Sequence, residues 1–529
     1  MYSRFKEDSV LRNATFGACF FCAFAVAASS KPAGANAFSQ LADVLARYRS
    51  AVGAGAAPPD RYVLSGTLAG EDLSGTFQTR VDGDRERDDR QLGPRSESEW
   101  FLGDTAYARD QNGDVRKLRG LLLRRAKTER LIDSNGFLDA PTTIRSLARR
   151  TIDGRAADVL EIAAPGGEPE SLALDAASGV PIQIAYNDDD GRTTVALSDW
   201  RIVKGAHFPF RSVVSNGDSA YDVTESTTAA VISGPADPNA FAIPPSRTLE
   251  ASAAQTVPLV EHDGHFYVKV RIGGAPYSFL LDSGAANVLL DERVARAAGL
   301  HEEGALEASG AARTGGLHAA RLDDLQIGDA HLRNLVVSTI DLGSATGGSF
   351  RIDGVLGYPF FSSAVVRLDP VARTLTFAPP GKLAPAGVRV DVELDRLLPQ
   401  VAVRLNDRAS GQMVVDTGNG GAVLLYRPFV DANPGIVPYS DISRRSFGVG
   451  GSTVSYRSSL DALEVAGTTL YHLDTDVMLA TQGAFADRFV AGNLGLAVLH
   501  NFVVTFDDPD SAMYFERSTA FDDGRSRGH

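Results

Sequence analysis

The 529-residue sequence predicts a mainly β protein, in which two related β-rich lobes follow an antiparallel sheet domain with one or two helices. Short segments that alternate apolar and polar residues between turn residues indicate strands along most of the chain. An internal repeat in the second half indicates the two lobes. The length itself suggests about three units of ~150 residues each. An apolar content of 44% with 8% aromatic residues is typical of packed globular domains.

The repeat is centred on two short segments that each carry one carboxylate. A strand-type apolar run leads into Asp282-Ser283-Gly284, and a second run leads into Asp416-Thr417-Gly418. The flanking blocks recur in the same order in both copies: Val268–Ile272 with Val401–Leu405, Asp324–Gly328 with Asp461–Val465, Gly354–Gly357 with Gly492–Gly495, and Val365–Asp369 with Val503–Asp507. The sequence therefore predicts a duplicated unit.

These motifs resemble the bacterial aspartyl proteases of the pepsin and retropepsin type, which carry Asp-Thr/Ser-Gly in two related lobes. The resemblance covers residues 256 to 518 and implies two retropepsin-like β-barrel lobes with pseudo-twofold symmetry, at 256–380 and 388–518. It also implies that an element crosses beneath each catalytic loop. Leu356-Gly357 and Leu494-Gly495 match this element. The second lobe departs from the pattern where Asn493 replaces a hydrophobic residue and where Asn419 follows the motif.

Amide hydrolysis by a protease of this type requires both acids. Hydrolysis of an amide needs a base for water and an acid for the leaving group. Asp282 and Asp416, brought together, would share one proton and titrate as a pair. By resemblance, Ser283 and Thr417 would hydrogen-bond between the lobes, while Gly284 and Gly418 would let backbone donors approach the carboxylates. The alternative is that each Asp only caps a turn at a strand end.

This interpretation carries expectations about partners. It predicts a peptide or protein substrate and requires no metal and no cofactor. Because one chain holds both acids, a monomer should be competent. A formal charge of −14 without a basic cluster disfavours nucleic acid as a partner. His262 and His265 flank a turn signal, Asp263-Gly264, and are interpreted as turn residues and not as metal ligands.

The first 37 residues have the pattern of a secretory signal peptide. Arg4, Lys6 and Arg12 precede an apolar run from Gly17 to Ala28, followed by small residues. The run is shorter than the roughly 20 residues of a spanning helix, and an uncleaved anchor is the alternative. Both cysteines lie inside this run, so the mature chain would have no disulfide. The predicted location is periplasmic or secreted.

Residues 38–245 are predicted to form a separate domain with helices at Leu41–Val52 and Leu121–Leu131. The predicted strands are Tyr62–Leu68, Gly75–Val81, Trp100–Tyr107, Ala157–Ile162, Ile182–Tyr186, Thr193–Ile202 and Arg211–Val214. A helix followed by strands, with Gly179-Val180-Pro181 and Asp199–Pro209, resembles the half-barrel of periplasmic lipoprotein carriers. That resemblance implies a lipid or lipoprotein partner, and a scaffold role is the alternative.

Turn-rich segments separate these units. Residues 234–256 and 378–387 are predicted linkers, and residues 519–529 are predicted to be a disordered tail. Gly310–Gly316 and Gly448–Ser452 are interpreted as hairpin tips that correspond to substrate flaps in the family, and ordinary mobile loops are the alternative.

Three functions remain open from the sequence. The first is an aspartic endopeptidase that is secreted or belongs to the cell envelope. The second is a catalytically weak or inactive peptide-binding protein, suggested by Asn419 and Asn493. The third is an envelope lipid or lipoprotein carrier, which would need a continuous apolar concave face in the N-terminal domain.

Overall fold

A computed structural model describes residues 35–53, 59–188, 191–234, 237, 239–310, 313–345, 352–448 and 451–525. The described residues lie mostly in strands that form sheets of 13, six, eight and eight strands. The predicted fold class is confirmed. The predicted signal peptide lies almost wholly outside the described residues, and helix α1 begins at Ala35.

The N-terminal domain is one antiparallel sheet with helices packed on one face. Its strands are β1 (Arg61–Gly70), β2 (Leu73–Asp82), β3 (Arg85–Leu92), β4 (Arg95–Leu102), β5 (Thr105–Arg109), β6 (Val115–Lys117), β7 (Ile144–Ile152), β8 (Arg155–Ile162), β9 (Glu170–Asp175), β10 (Pro181–Asn187), β11 (Arg192–Val203), β12 (Ala206–Ser215) and β13 (Val223–Ile232). Their order is β6-β5-β4-β3-β2-β1-β13-β12-β11-β10-β9-β8-β7. Because β1 pairs with β13, the first and last strands meet in the middle of the sheet.

Two helices cover this sheet, α1 (Ala35–Val52) and α2 (Gly120–Asp133). Val44, Leu45 and Tyr48 lie on one face of α1 at helical spacing and pack against Leu172 and Ile184 of the sheet. The predicted segment Trp100–Tyr107 is two strands, β4 and β5, because a tight turn at Gly103 reverses the chain.

The C-terminal half contains two lobes. Lobe 1 contains β14 (Gln255–Pro258), β15 (Val260–His262), β16 (His265–Ile272), β17 (Ala275–Leu281), β18 (Leu289–Asp291), α3 (Glu292–Ala297), β19 (Glu302–Ser309), β20 (Arg313–Ile327), β21 (Ala330–Ile340), α4 (Leu342–Ala345), β22 (Gly354–Leu356), α5 (Tyr358–Phe361), β23 (Val365–Asp369) and β24 (Thr374–Ala378). Lobe 2 contains β25 (Val388–Asp391), β26 (Glu393–Asp395), β27 (Leu398–Leu405), β28 (Ala409–Val415), β29 (Val423–Leu425), α6 (Arg427–Ala432), β30 (Ser443–Gly448), β31 (Gly451–Val465), β32 (Thr468–Met478), β33 (Gly492–Leu494), α7 (Leu496–Leu499), β34 (Phe502–Asp507) and β35 (Ala512–Arg517).

The two lobes share one topology. Their eight-stranded sheets have the orders β15-β16-β17-β22-β18-β21-β20-β19 and β26-β27-β28-β33-β29-β32-β31-β30. Each sheet folds back through one further pairing, β16 with β20 and β27 with β31. In each lobe the strand before the acid pairs in parallel with the later Gly-containing strand. The strand orders and extra pairings therefore match the repeat found in the sequence.

A six-stranded sheet joins the lobes, with the order β14-β24-β23-β34-β35-β25. Its central seam is the antiparallel pairing of β23 with β34, where Arg367 faces Thr505. One apolar cluster continues across the seam and includes Phe361 and Phe506, whose ring centroids are 4.9 Å apart. The lobes thus bury a common core, which fixes their relative position.

Part of the predicted disordered tail has defined contacts with lobe 2. The ring of Phe521 lies 6.3 Å from that of Phe502, and Tyr471 N–H donates to the Asp523 carbonyl oxygen at 2.7 Å. Residues 526–529 lie outside the described residues. None of the helices in the described ranges has the length and apolar character needed to cross a bilayer.

Candidate active site

Asp282 and Asp416 lie at equivalent positions, each one residue past the buried end of a strand. Asp282 N–H donates to the Leu356 carbonyl oxygen at 3.1 Å, and Asp416 N–H donates to that of Leu494 at 2.9 Å. Each bond continues a parallel strand pair, β17 with β22 or β28 with β33. The backbone at each acid is therefore held by the element that crosses beneath it.

The two carboxyl groups face each other across the lobe boundary and are hydrogen-bonded to one another. The glycines beside them make this approach possible. A Cβ atom on Gly284 would lie 2.6 Å from Asp416 Oδ1, and one on Gly418 would lie 2.6 Å from Asp282 Oδ2. Any side chain at either position would therefore displace the opposite carboxylate.

Backbone donors surround the acids. Gly284 N–H donates to Asp282 Oδ1 at 2.8 Å, and Gly418 N–H donates to Asp416 Oδ1 at 2.9 Å. Burial raises the pKa of both carboxyls, and charge on Asp282 raises the pKa of Asp416 further. Because two such close carboxylates repel each other when both are ionised, the pair holds one proton over a wide pH range.

Ser283 and Thr417 form a reciprocal network between the lobes. Ser283 N–H donates to Thr417 Oγ1 at 2.9 Å, and Thr417 N–H donates to Ser283 Oγ at 3.0 Å. Each hydroxyl also donates across the boundary, Ser283 to the Val415 carbonyl at 2.6 Å and Thr417 to that of Leu281 at 2.9 Å. Both side chains are buried. These four bonds connect the loops that carry Asp282 and Asp416 to each other.

The crossing elements need glycine for a steric reason. A Cβ atom on Gly357 would fall on the carbonyl oxygens of Ala285 and Asn287, and one on Gly495 would lie 2.6 Å from the carbonyl oxygen of Asn419. The residues that follow complete the contact, since Tyr358 N–H donates to Ala285 and Leu496 N–H donates to Asn419. All ten predicted site residues thus lie in one assembly around the acids.

Asn493 has a direct contact that the sequence did not predict. Its Nδ2–H donates to Asp416 Oδ2 at 2.7 Å, while its Oδ1 accepts from Asn419 Nδ2 at 2.9 Å. The counterparts in lobe 1, Val355 and Ala285, have no side-chain polar groups. The two departures from the family pattern therefore form one polar pair, and they make the site asymmetric.

His265 also lies at the site. A protonated His265 would lower the pKa of Asp282 through its charge, and its Nδ1 lies 2.9 Å from the Asp263 carbonyl oxygen. Its ring lies near Gly420 of lobe 2, 3.2 Å from a Cβ atom built there. The turn predicted at Asp263-Gly264 joins β15 to β16, and it brings this histidine to the lobe boundary.

The N-terminal domain contacts residues of lobe 1 that lie next to the acid-bearing loop and its crossing element. Asn112, in the turn between β5 and β6, accepts from Val336 N–H at 2.8 Å and donates to Asn287 Oδ1 at 3.4 Å. Asp114 accepts from the Tyr358 hydroxyl, one residue after the crossing glycine. At the hairpin of β19 and β20, Ala305 N–H donates to the Glu71 carbonyl oxygen at 2.8 Å.

In the described ranges, no group of three or more His, Cys, Asp or Glu side chains is arranged to hold a metal ion.

Residues 268–360 match the family model for aspartyl proteases. The matched region contains Asp282, Ser283 and Gly284 with the crossing element Leu356-Gly357, so the resemblance found in the sequence is confirmed for lobe 1. Among curated proteins, none matches the chain at a significant level.

Several solved structures are similar to parts of the chain. An aspartic proteinase from Irpex lacteus is 14% identical over 50% of this chain and 98% of that chain, with a TM-score of 0.31. A retropepsin-like aspartic protease from Rickettsia conorii is 20% identical over 24% of this chain and 94% of its own, with a TM-score of 0.18. A LolA superfamily protein from Nitrosomonas europaea is 13% identical over 38% of this chain and 97% of its own, with a TM-score of 0.27.

Proposed function

We propose that this protein is an aspartic endopeptidase that hydrolyses peptide bonds with a water activated between Asp282 and Asp416. The observation that carries the proposal is the paired carboxyls, which contact each other and are held by the reciprocal network of Ser283 and Thr417. A pair of turn-capping aspartates would not need glycine on both sides of the lobe boundary. The match of residues 268–360 to aspartyl proteases supports the same function.

In the proposed reaction, the ionised carboxylate removes a proton from water, and the oxygen attacks the carbonyl carbon of the substrate. The protonated carboxyl donates to the carbonyl oxygen as negative charge develops there. The C–N bond then breaks, and the leaving amine takes a proton from the pair. No other reactant is required.

Opposing effects act on the charge of the acid pair. Burial and the charge on Asp282 raise the pKa of Asp416, whereas three donors to its oxygens favour its charged form: Gly418 N–H, Asn419 N–H and Asn493 Nδ2–H. Because the two carboxyls titrate as one unit, these donors act on the single negative charge that the pair carries. We infer that they stabilise this charge, whichever carboxyl holds the proton.

The test is digestion of a peptide library by the wild type, Asp282→Asn, Asp416→Asn and the double variant. Each single change should abolish hydrolysis almost completely, and the double variant should be little worse, because residues that act as one unit are non-additive. Asp474→Asn makes the same chemical change at an exposed site in lobe 2 and should keep full activity. Near-normal turnover by either single variant would overturn the proposal.

The proposed location is outside the cytoplasm, in the periplasm or secreted. It is supported by the basic residues and apolar run of the first 37 residues. A mature form whose N-terminus lies downstream of that run, measured by sequencing the exported protein, would support this location. Retention of the full N-terminus would count against it.

We propose a scaffold role for the N-terminal domain. An acyl chain would need a continuous apolar surface, yet the inner face of the sheet carries Asp88, Arg90 and Glu225, with Arg90 ion-paired to both acids. The contacts of Asn112 and Asp114 instead connect this domain to Val336 and Tyr358 of lobe 1. A peptide or protein is therefore the partner that we propose for the chain, and no lipid is assigned to the domain.

A further inference from the structure

A cavity of about 450 Å³ lies between the N-terminal domain and lobe 1, away from the two acids. Its volume is within the range of small-molecule sites, about 300–1,000 Å³. The wall from the N-terminal domain includes Arg109 and Gln111, and the wall from lobe 1 includes Arg321 and Arg333. Arg247, in the segment that connects the two units, lies between them.

Positive charge dominates this lining. Four arginines line the cavity with a single carboxylate, Glu250. Arg333 is paired with Glu250 at 3.1 Å and with Asp324 at 3.6 Å. Among the described residues, Arg109, Arg247 and Arg321 make no ion pair within 4.0 Å.

The nearest other acids are engaged elsewhere. Asp114 accepts from Ser246 Oγ and from the Tyr358 hydroxyl. Asp110 accepts from the N–H groups of Asn112 and Asp114 within its own turn. These carboxylates offset part of the positive charge of Arg247, but neither of them lines the cavity.

Arg247 has a donor that the described residues do not satisfy. Its Nη2 donates to the Asn334 carbonyl oxygen at 3.0 Å, while its buried Nη1 has no hydrogen-bond partner among them. Burial and the neighbouring Arg109 lower the pKa of Arg247. An anion in the cavity beside Arg109 and Arg247 would relieve the repulsion between the two guanidinium groups.

The remaining lining excludes a lipid tail. It consists mainly of small polar residues and amides, such as Ser96, Thr248 and Asn334, with no large apolar side chain. A guanidinium group can donate two parallel hydrogen bonds to two oxygens of one phosphate. We propose that this cavity binds a hydrophilic phosphate monoester of about the size of a sugar phosphate.

The position of the cavity gives this ligand a structural effect. Asn112 lines the cavity and also bonds to Val336 and Asn287 of lobe 1. An occupant that contacts Arg109 and Arg321 together would hold the two units against each other. Binding should therefore raise the melting temperature of the full chain.

The test is calorimetric titration of the full mature chain with glucose 6-phosphate at constant ionic strength. Saturable binding is expected, with at least tenfold weaker affinity in Arg247→Gln and in Arg321→Gln. Arg321 is exposed, so its variant should fold normally even if that of Arg247 does not. Arg457→Gln, an exposed arginine of lobe 2, is the matched control and should bind as the wild type does.

Further probes separate the sources of the phosphate. Glucose should not bind, and inorganic phosphate should bind more weakly than glucose 6-phosphate. Each of three results would overturn the proposal: no saturable binding of glucose 6-phosphate, equal binding by wild type and Arg321→Gln, or binding only to vesicles that contain phosphatidic acid. Because these readouts measure binding, they do not depend on whether the protein hydrolyses peptides.

Discussion

The hydrogen bond from Asn493 to Asp416 should set the acidic limb of the activity profile. We consider Asn493→Val, which gives lobe 2 the residue found at the equivalent position of lobe 1, Val355. The change removes the donor that lies 2.7 Å from Asp416 Oδ2. Since that bond favours the ionised carboxylate, its loss should raise the pKa of the pair.

The size of the effect follows from the charge of the acceptor. A hydrogen bond to an ionised group is worth about 1.5–3 kcal/mol, and one pH unit corresponds to about 1.4 kcal/mol. The acidic limb of kcat/KM should therefore move upward by about one to two pH units. At a pH well above that limb, turnover should change much less.

The assay is the pH dependence of kcat/KM on a cleaved peptide, measured with wild type, Asn493→Val and Asn419→Ala. Asn419 donates to Asn493 Oδ1 at 2.9 Å and so orients its amide, which predicts a smaller shift in the same direction. An acidic limb that stays in place in a folded Asn493→Val protein, or that moves downward, would refute the stabilisation of the pair's negative charge by this hydrogen bond.

Two further predictions concern stability. Burial beside Asp114 and Asp507 raises the pKa of Asp508 from 3.8 to about 8, so its contribution to stability is present below pH 4 and is lost as the pH rises through 8. Asp508→Asn should therefore be more stable than wild type at pH 8, by roughly 5 kcal/mol at most. Its melting temperature should also depend less on pH. An unchanged pH dependence of the melting temperature, or the same gain from the exposed Asp510→Asn, would contradict this. Thr417→Val should destabilise the chain by about 2–4 kcal/mol, because Ser283 N–H and the Leu281 carbonyl lose their shared partner. Thermal melting would measure the loss, and the exposed Thr67→Val is the control; equal melting temperatures would show that the network does not hold the lobes.

Much of the site was predictable because its signals are local. Asp282 and Asp416 each follow a strand-type run, and the duplicated order of blocks implies that the two acids meet. The contact of Asn493 with Asp416 was not predictable, since the sequence showed only that a polar residue stood where a hydrophobic one is usual. The side-chain orientation at that position depends on the strand pairing of β28 with β33.

Strand β3 is absent from the predicted strands for a different reason. Its sequence, Arg85–Leu92, has almost no apolar alternation, because inward-facing Asp88 and Arg90 are satisfied by each other and by Glu225. A charged strand of this kind can be recognised only when the ion-pair partners of its side chains are known. Arg90 and its partner Glu225 are 135 residues apart in the sequence. The contact of Asn112 with Val336, 224 residues apart, was hidden for the same reason.

The seam between β23 and β34 has a consequence for how the site is assembled. Each lobe supplies one half of the seam, one acid and one half of the Ser283–Thr417 network, and residues 379–387 are the chain segment that joins β24 to β25. That segment acts as a tether that keeps the effective concentration of one lobe around the other high. A cut within it should leave two fragments that still associate through the seam, and their activity should then fall on dilution. The activity per molecule of the intact chain should not depend on its concentration.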